Sequence, residues 1–159
     1  MATEIAQVKA NVNGNFANII QASKLDYRVI MFANSAYSTA ARQVCVLPPL
    51  GAATCGQNKP PTFFQVNRSI ESWDSLSLFM NTTYYNQIKA NLRPGAFKAF
   101  IEVTDDQSNP TTAAQFDAFL LSGAGAAYFG TAAQRRYVFH SSVGANTPLL
   151  PPQPKTNTK

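Results

Sequence analysis

Apolar residues recur at intervals of three and four along residues 3–21, where Ile5, Val8, Val12, Phe16, Ile19 and Ile20 fall on one stripe of a helix. Gly14 sits inside that stripe and weakens it by about 1 kcal/mol relative to alanine, so packing must compensate. The pattern changes at Asp26-Tyr-Arg-Val-Ile-Met-Phe-Ala33, a run of β-branched and aromatic residues without helical spacing. Such a run predicts a strand covered on both faces. Residues 34–61 show no sustained period, and a loop of that length in a compact domain needs a staple or a function. A short strand is expected at residues 63–66. Helical stripes follow, one from Ser72 through Leu76, Phe79 and Met80, the other from Thr83 to Asn91 with its stop at Pro94-Gly95.

The stretch from Ala96 to Thr104 carries the clearest strand pattern and runs into the polar segment Asp105-Asp106-Gln107-Ser108-Asn109-Pro110. Thr112-Ala-Ala-Gln115 has the spacing of a capping box for a helix bearing Phe116, Phe119 and Leu120. Residues 124–135 read as a small-residue connection, and residues 136–143 as another strand. The segment 147–159 holds four prolines and only Leu149-Leu150 as apolar pattern, which predicts an extended tail after a domain at 1–146. Alternation of helix and strand in this order implies an α/β fold, with a mainly parallel sheet and helices on both faces.

The length of 159 residues suits one core. Charged residues make up 13% of the chain against roughly 25% in ordinary soluble domains, so the surface is built largely from Asn, Gln, Ser and Thr. That balance favours an extracellular or cell-surface setting. The net charge of +5 comes from scattered residues, Lys155 and Lys159 in the tail among them, which argues against nucleic acid as a partner. No apolar run approaches the roughly 20 residues of a membrane span. Catalysis finds no motif: the single histidine, His140, has no acid or thiol beside it, and neither a P-loop nor a dinucleotide fingerprint is present. The triplets Asn67-Arg-Ser69 and Asn81-Thr-Thr83 match the glycosylation pattern, which is short enough to occur by chance.

Cys45 and Cys55 lie in a stretch rich in Pro and Gly, with no further Cys and no nearby His to complete a metal site. The expected reading is a disulfide that closes the long loop; the alternative is a pair of free thiols in a reducing compartment.

Several stretches resemble the von Willebrand factor A domains, in particular a bacterial secreted group of them. They are Asp26-Tyr-Arg-Val-Ile-Met-Phe-Ala33, Val44-Cys-Val-Leu-Pro-Pro-Leu-Gly51, and the block Leu92-Arg-Pro-Gly-Ala-Phe-Lys-Ala-Phe-Ile-Glu-Val-Thr-Asp-Asp106. Ala113-Ala-Gln-Phe-Asp-Ala-Phe-Leu-Leu121 and Tyr137-Val-Phe-His-Ser-Ser-Val-Gly144 add to the likeness. The resemblance implies a metal-ion-dependent adhesion site at the top of the sheet, with Asp105 as its later acid and Ser72, or else Ser69, as its hydroxyl. The Asp-x-Ser-x-Ser loop that should supply the principal ligands is absent. In related sequences that loop is followed by Met and then the first helix, as this chain begins, so the expectation is a domain lacking its central first strand. An Mg²⁺ or Ca²⁺ held by one carboxylate and one hydroxyl would keep most positions for water and bind weakly. The competing role for Asp105 and Asp106 is to cap the turn after the strand. The functions expected on this basis are a non-enzymatic adhesion or protein-binding module, or a structural subunit that self-associates into an oligomer or fibre by strand addition.

Overall fold

The computed structural model describes residues 2–36, 38 and 42–143; the tail expected at 147–159 lies outside them. The chain opens with α1 (Ala2–Asn11), a π turn (Val12–Phe16) and α2 (Ala17–Ser23), which follow one another without a break. The π turn coincides with Gly14, the residue least able to hold a regular helix. Its wider winding shifts the apolar stripe: Ala17 becomes fully buried and Ile20 half-buried, whereas Ile19 is 66% exposed. The single stripe expected from α-helical spacing therefore breaks at Ile19.

Strands β1 (Val29–Ala33) and β2 (Phe63–Asn67) pair in parallel, with Val29 opposite Phe63. Next come α3 (Ser75–Met80) and α4 (Thr82–Lys89), the latter capped by the Asn81 side chain, which accepts from the Thr83 amide. Strands β3 (Lys98–Thr104) and β4 (Tyr137–Val143) form a second parallel pair, with Lys98 opposite Tyr137. Between them run α5 (Ala113–Leu121), a 3₁₀ turn at Gly123–Gly125, and α6 (Ala126–Phe129). Thr112 caps α5: its hydroxyl oxygen accepts from the Gln115 amide while the Gln115 side chain accepts from the Thr112 amide.

The architecture is thus mixed helix and strand with parallel pairing, but the one mainly parallel sheet expected from the sequence is instead two separate pairs, β1–β2 and β3–β4. Both rest on one core. Val66, Leu76, Phe79, Tyr85, Ile88, Phe116, Leu120 and Phe129 are buried together, and Ile30 and Phe32 of β1 pack against them as Phe100 and Phe139 do from β3 and β4. Phe79 packs at the centre of α3's contacts with this core, its ring centroid 5.3 Å from Phe116 and 5.5 Å from Phe100, both edge-on. Aromatic pairs of this geometry add about 0.5–1.5 kcal/mol beyond area burial. Phe129 is 1% exposed, so residues 124–135 hold a core helix where the sequence pattern suggests only a connection. Its two aromatics, Tyr128 and Phe129, stand alone among small residues and carry no period to read.

A second cluster lies on the other face of β1–β2. Ala17, Val46, Leu50 and Phe63 are buried there, with Val12, Phe16, Ile20, Val29 and Met31 packed on them. The loop from Val44 to Leu50 joins this cluster, and Cys45 is bonded to Cys55, their Cα atoms 5.0 Å apart. Asn13 ties the π turn to the same loop, donating to the Cys45 carbonyl at 2.9 Å and accepting from the Leu47 amide.

Candidate functional site

The polar cluster at the end of β3 is built by short-range bonds. Thr104 donates its hydroxyl proton to the Ser72 carbonyl and takes the Asp106 amide at 3.2 Å. Ser72 in turn donates to Asp106 Oδ2 at 2.5 Å, and the Asn109 amide reaches the Trp73 carbonyl at 2.9 Å. Ser75 and Ser141 both donate to the Glu102 carboxylate. Ser72 is therefore engaged with Asp106, while Asp105 is exposed beside it and Ser69 is exposed on the preceding loop. Of the two acids, Asp106 holds the turn. Among the described residues no three His, Cys, Asp or Glu side chains gather as a metal-binding group. Trp73, 44% exposed next to Ser72, completes the rim, and no periodicity marked it.

The strand edges are fixed by two bonds. The Lys98 amide donates to the Arg136 carbonyl at 2.9 Å, and the Val29 amide to the Thr62 carbonyl at 2.8 Å. In a parallel ladder, alternate residues turn their peptide groups to the same side. The peptides of Lys98, Phe100, Glu102 and Thr104 therefore face β4, and those of Ala99, Ile101 and Val103 face the opposite edge. By the same rule Ile30 and Phe32 turn theirs away from β2. Neither edge is paired with another described strand. The bases of β1 and β3 are nevertheless tied together: Arg93 donates to the Asp26 carboxylate and carbonyl, and Arg28 to the Asn91 carbonyl at 2.9 Å.

Side chains on β3 follow the same alternation. Phe100 and Glu102 point to the core side, whereas Ile101 is 63% exposed, Val103 54% and the preceding Phe97 65%. His140 stands opposite Ile101 on β4 and is exposed too. This outer face carries Ala99, Ile101, Val103, Val138 and His140 and holds no Lys, Arg, Asp or Glu among those positions.

A third feature flanks β4. A groove of about 480 Å³ opens between α5 and β4, lined by Leu76, Ala113, Ala114, Phe116, Tyr137, Val138 and Phe139, with Asp117 and Arg135 also on its wall. Arg135 forks onto both Asp117 oxygens, and the Tyr137 hydroxyl donates to Asp117. The Tyr137 bond, ahead of Arg135, holds the Asp117 carboxyl below its usual range. Burial, reinforced by Asp117, pushes the Tyr137 phenol up to about 12. Gly130 makes the turn that brings Arg135 there: its φ is +86°, and a Cβ would meet the Gln134 carbonyl oxygen.

One further amine is desolvated. Lys98 donates its ammonium protons to the carbonyls of Arg93, Ala96 and Tyr128, joining the base of β3 to α6. Burial first, then Arg136 and Arg93, lower its pKa to about 8. With Arg93 and Arg135 ion-paired and Lys98 occupied inside, part of the excess positive charge serves the fold.

No protein-family model, curated protein or solved structure matches this chain.

Proposed function

We propose that the chain is a non-enzymatic protein-binding module of the von Willebrand factor A kind, which works by completing its sheet with a strand from another polypeptide. The observation that carries this reading is the exposed outer face of β3, where Ile101 and Val103 are 63% and 54% open to solvent on a parallel strand. Parallel strands are ordinarily covered on both faces, and contiguous apolar surface left open marks an interaction site. The open edge of the same strand presents the peptide groups of Ala99, Ile101 and Val103, and β1 presents those of Ile30 and Phe32. An extended apolar segment entering between β1 and β3 would satisfy both rows at once. An extracellular or cell-surface setting belongs to the same proposal; the Cys45–Cys55 bond supports it, because disulfides persist in oxidising compartments.

A second reading keeps a divalent cation, Mg²⁺ or Ca²⁺, at the end of β3. Ser72, Asp105 and Asp106 stand together there, at the carboxyl end of a parallel strand where ligands of such sheets bind. The Ser72 hydroxyl spends its proton on Asp106 Oδ2 and keeps its oxygen lone pairs for a metal. A cation present at its own dissociation constant adds only about 0.4 kcal/mol.

Light scattering after size-exclusion chromatography tests the first reading. It expects species larger than one chain, returned to monomer by Ile101→Lys combined with Val103→Lys while the circular dichroism stays unchanged. A monodisperse wild-type monomer with cooperative melting overturns it. Melting the same samples with millimolar Mg²⁺ addresses the second: a clear rise in Tm that Asp105→Ala abolishes would put the cation first.

A further inference from the structure

The triplets Asn67-Arg-Ser69 and Asn81-Thr-Thr83 share an acceptor pattern for glycans, and the structure sets them in different surroundings. Asn67 ends β2 opposite Ala33, and the next amide, of Arg68, donates to the Ala33 carbonyl at 3.3 Å. The Asn67 side-chain oxygen accepts from the Ser35 amide at 2.8 Å, a bond that spans 32 residues and exists only once the loop after β1 has closed on β2. Asn81 instead occupies the corner between α3 and α4, where Asn81, Thr82 and Thr83 are all exposed.

That corner is made by the triplet itself. Asn81 is extended, with φ −61° and ψ 129°, and its side-chain oxygen accepts from the Thr83 amide at 3.0 Å. A bond from an asparagine to the amide two residues on is a local turn, formed by near neighbours without the rest of the fold. It draws the first and third residues of the triplet to one exposed corner, and no described residue accepts a proton from Asn81 Nδ2.

The surroundings suit a bulky hydrophilic group. α3 and α4 pack on the shared core through Phe79, Tyr85 and Ile88, on the side of β3 opposite Ile101 and Val103. A glycan at Asn81 therefore leaves the apolar outer face clear, and it hydrates the surface of a chain in which only 13% of residues are charged. A short acceptor pattern gains meaning on a surface turn of a protein made for an oxidising compartment, and the Cys45–Cys55 bond meets the second condition.

We propose that Asn81 is an acceptor for an N-linked glycan, transferred from a lipid-pyrophosphate-linked oligosaccharide. In that step Asn81 Nδ2 bonds to the anomeric carbon of the first sugar and gives up one proton. The carbon–oxygen bond to the pyrophosphate breaks, and its electron pair leaves with the pyrophosphate. The Asn81 side-chain oxygen takes no part, so its bond to the Thr83 amide and the cap of α4 persist. The inference rests on the extracellular setting proposed above.

The test secretes the full chain from a eukaryotic host behind a cleavable leader, so that it meets the donor lipid whatever its native destination and a failure counts against Asn81 and not against the setting. Peptide mapping after peptide-N-glycosidase release in heavy-oxygen water is expected to mark residue 81 as heavy aspartate. Asn81→Asp, which keeps the capping oxygen, and Thr83→Val, which removes the hydroxyl of the third residue, are each expected to abolish the mark with the circular dichroism unchanged. Thr83→Ser is expected to retain it. A secreted wild-type chain unmarked at residue 81, a mark that survives Thr83→Val, or a glycan confined to Asn67 would each overturn the inference.

Discussion

The two parallel strand pairs are built from similar residues and differ in what covers them. β1–β2 is sandwiched: Val29, Met31 and Phe63 pack on α1, the π turn and α2 with the disulfide loop, while Ile30, Phe32 and Val66 pack on the shared core. β3–β4 is covered on its core side alone, by α3, α5 and α6, and leaves Ile101 and Val103 bare. Large apolar side chains on the two faces of β3 thus have opposite surroundings, since Phe100 is enclosed by Phe79, Phe116 and Phe129 whereas its neighbour Ile101 meets solvent. A parallel strand with one wet face stabilises its own domain with half its residues. The other half is available to something else, which is why the uncovered pair, and not the covered one, is the place to seek function.

Truncating the core should separate the two faces most sharply. Phe129→Ala or Phe63→Ala is expected to cost about 3–5 kcal/mol, because each ring is almost fully buried. Ile101→Ala in the isolated chain should stay within about 0.5 kcal/mol. Urea unfolding of the three variants measures this. An Ile101 effect of the core size in a monomeric sample would mean that the chain itself covers this face, and the comparison would have to be redrawn.

The disulfide gives an intermediate effect confined to the covered pair. Reduction of Cys45–Cys55 should destabilise by about 2–3 kcal/mol on the chain-entropy account. Because the loop carries Val46 and Leu50 into the second cluster, hydrogen exchange should rise first in β1, β2 and α2, with β3 and β4 following only at global unfolding. Uniform loss of protection in both pairs would show that they do not open separately.

The smallest effect is electrostatic and belongs to the uncovered pair. Lys98 has its pKa lowered from 10.5 to about 8 in the folded chain, so between those values the unfolded chain binds the proton more tightly and stability should rise with pH. Tyr137 is raised from 10.0 to about 12, so the folded chain keeps that proton while the unfolded chain loses it, and stability should fall as pH passes from 10 to 12. Denaturant midpoints across pH 7–12 should therefore pass through a maximum. Lys98→Met should remove the rising limb and Tyr137→Phe the falling one.

Helix and strand were readable wherever local chemistry and period agree. The stripe Leu76, Phe79 and Met80, the capping pair Thr112 and Gln115, and the runs that became β1, β3 and β4 are decided within a few residues, because caps and periodicity act through near neighbours. The polar end of β3 was legible as a position beyond a strand. That Ser72 would meet Asp106 and leave Asp105 alone was not, since the bond spans 34 residues and depends on how Thr104 and Trp73 seat two loops. Ile19 and Phe129 show the same limit in opposite senses. A π turn displaced an isoleucine that α-helical spacing would bury, and long-range aromatic packing buried a phenylalanine that had no pattern around it.

Sequence alone therefore determined most of the elements, though not α6 or the π turn, together with their order and the mixing of helices with strands, all of which follow from side-chain size, polarity and short-range hydrogen bonding. The tertiary structure decided that the strands form two pairs and not one sheet, that only one pair is covered twice, and that α5 stands off β4 far enough to leave a groove. Those outcomes depend on which faces meet across the chain. The period of β3 is the same whether its second face is buried or bare, so no reading of Ala99, Ile101 and Val103 in isolation can distinguish a core face from a docking face.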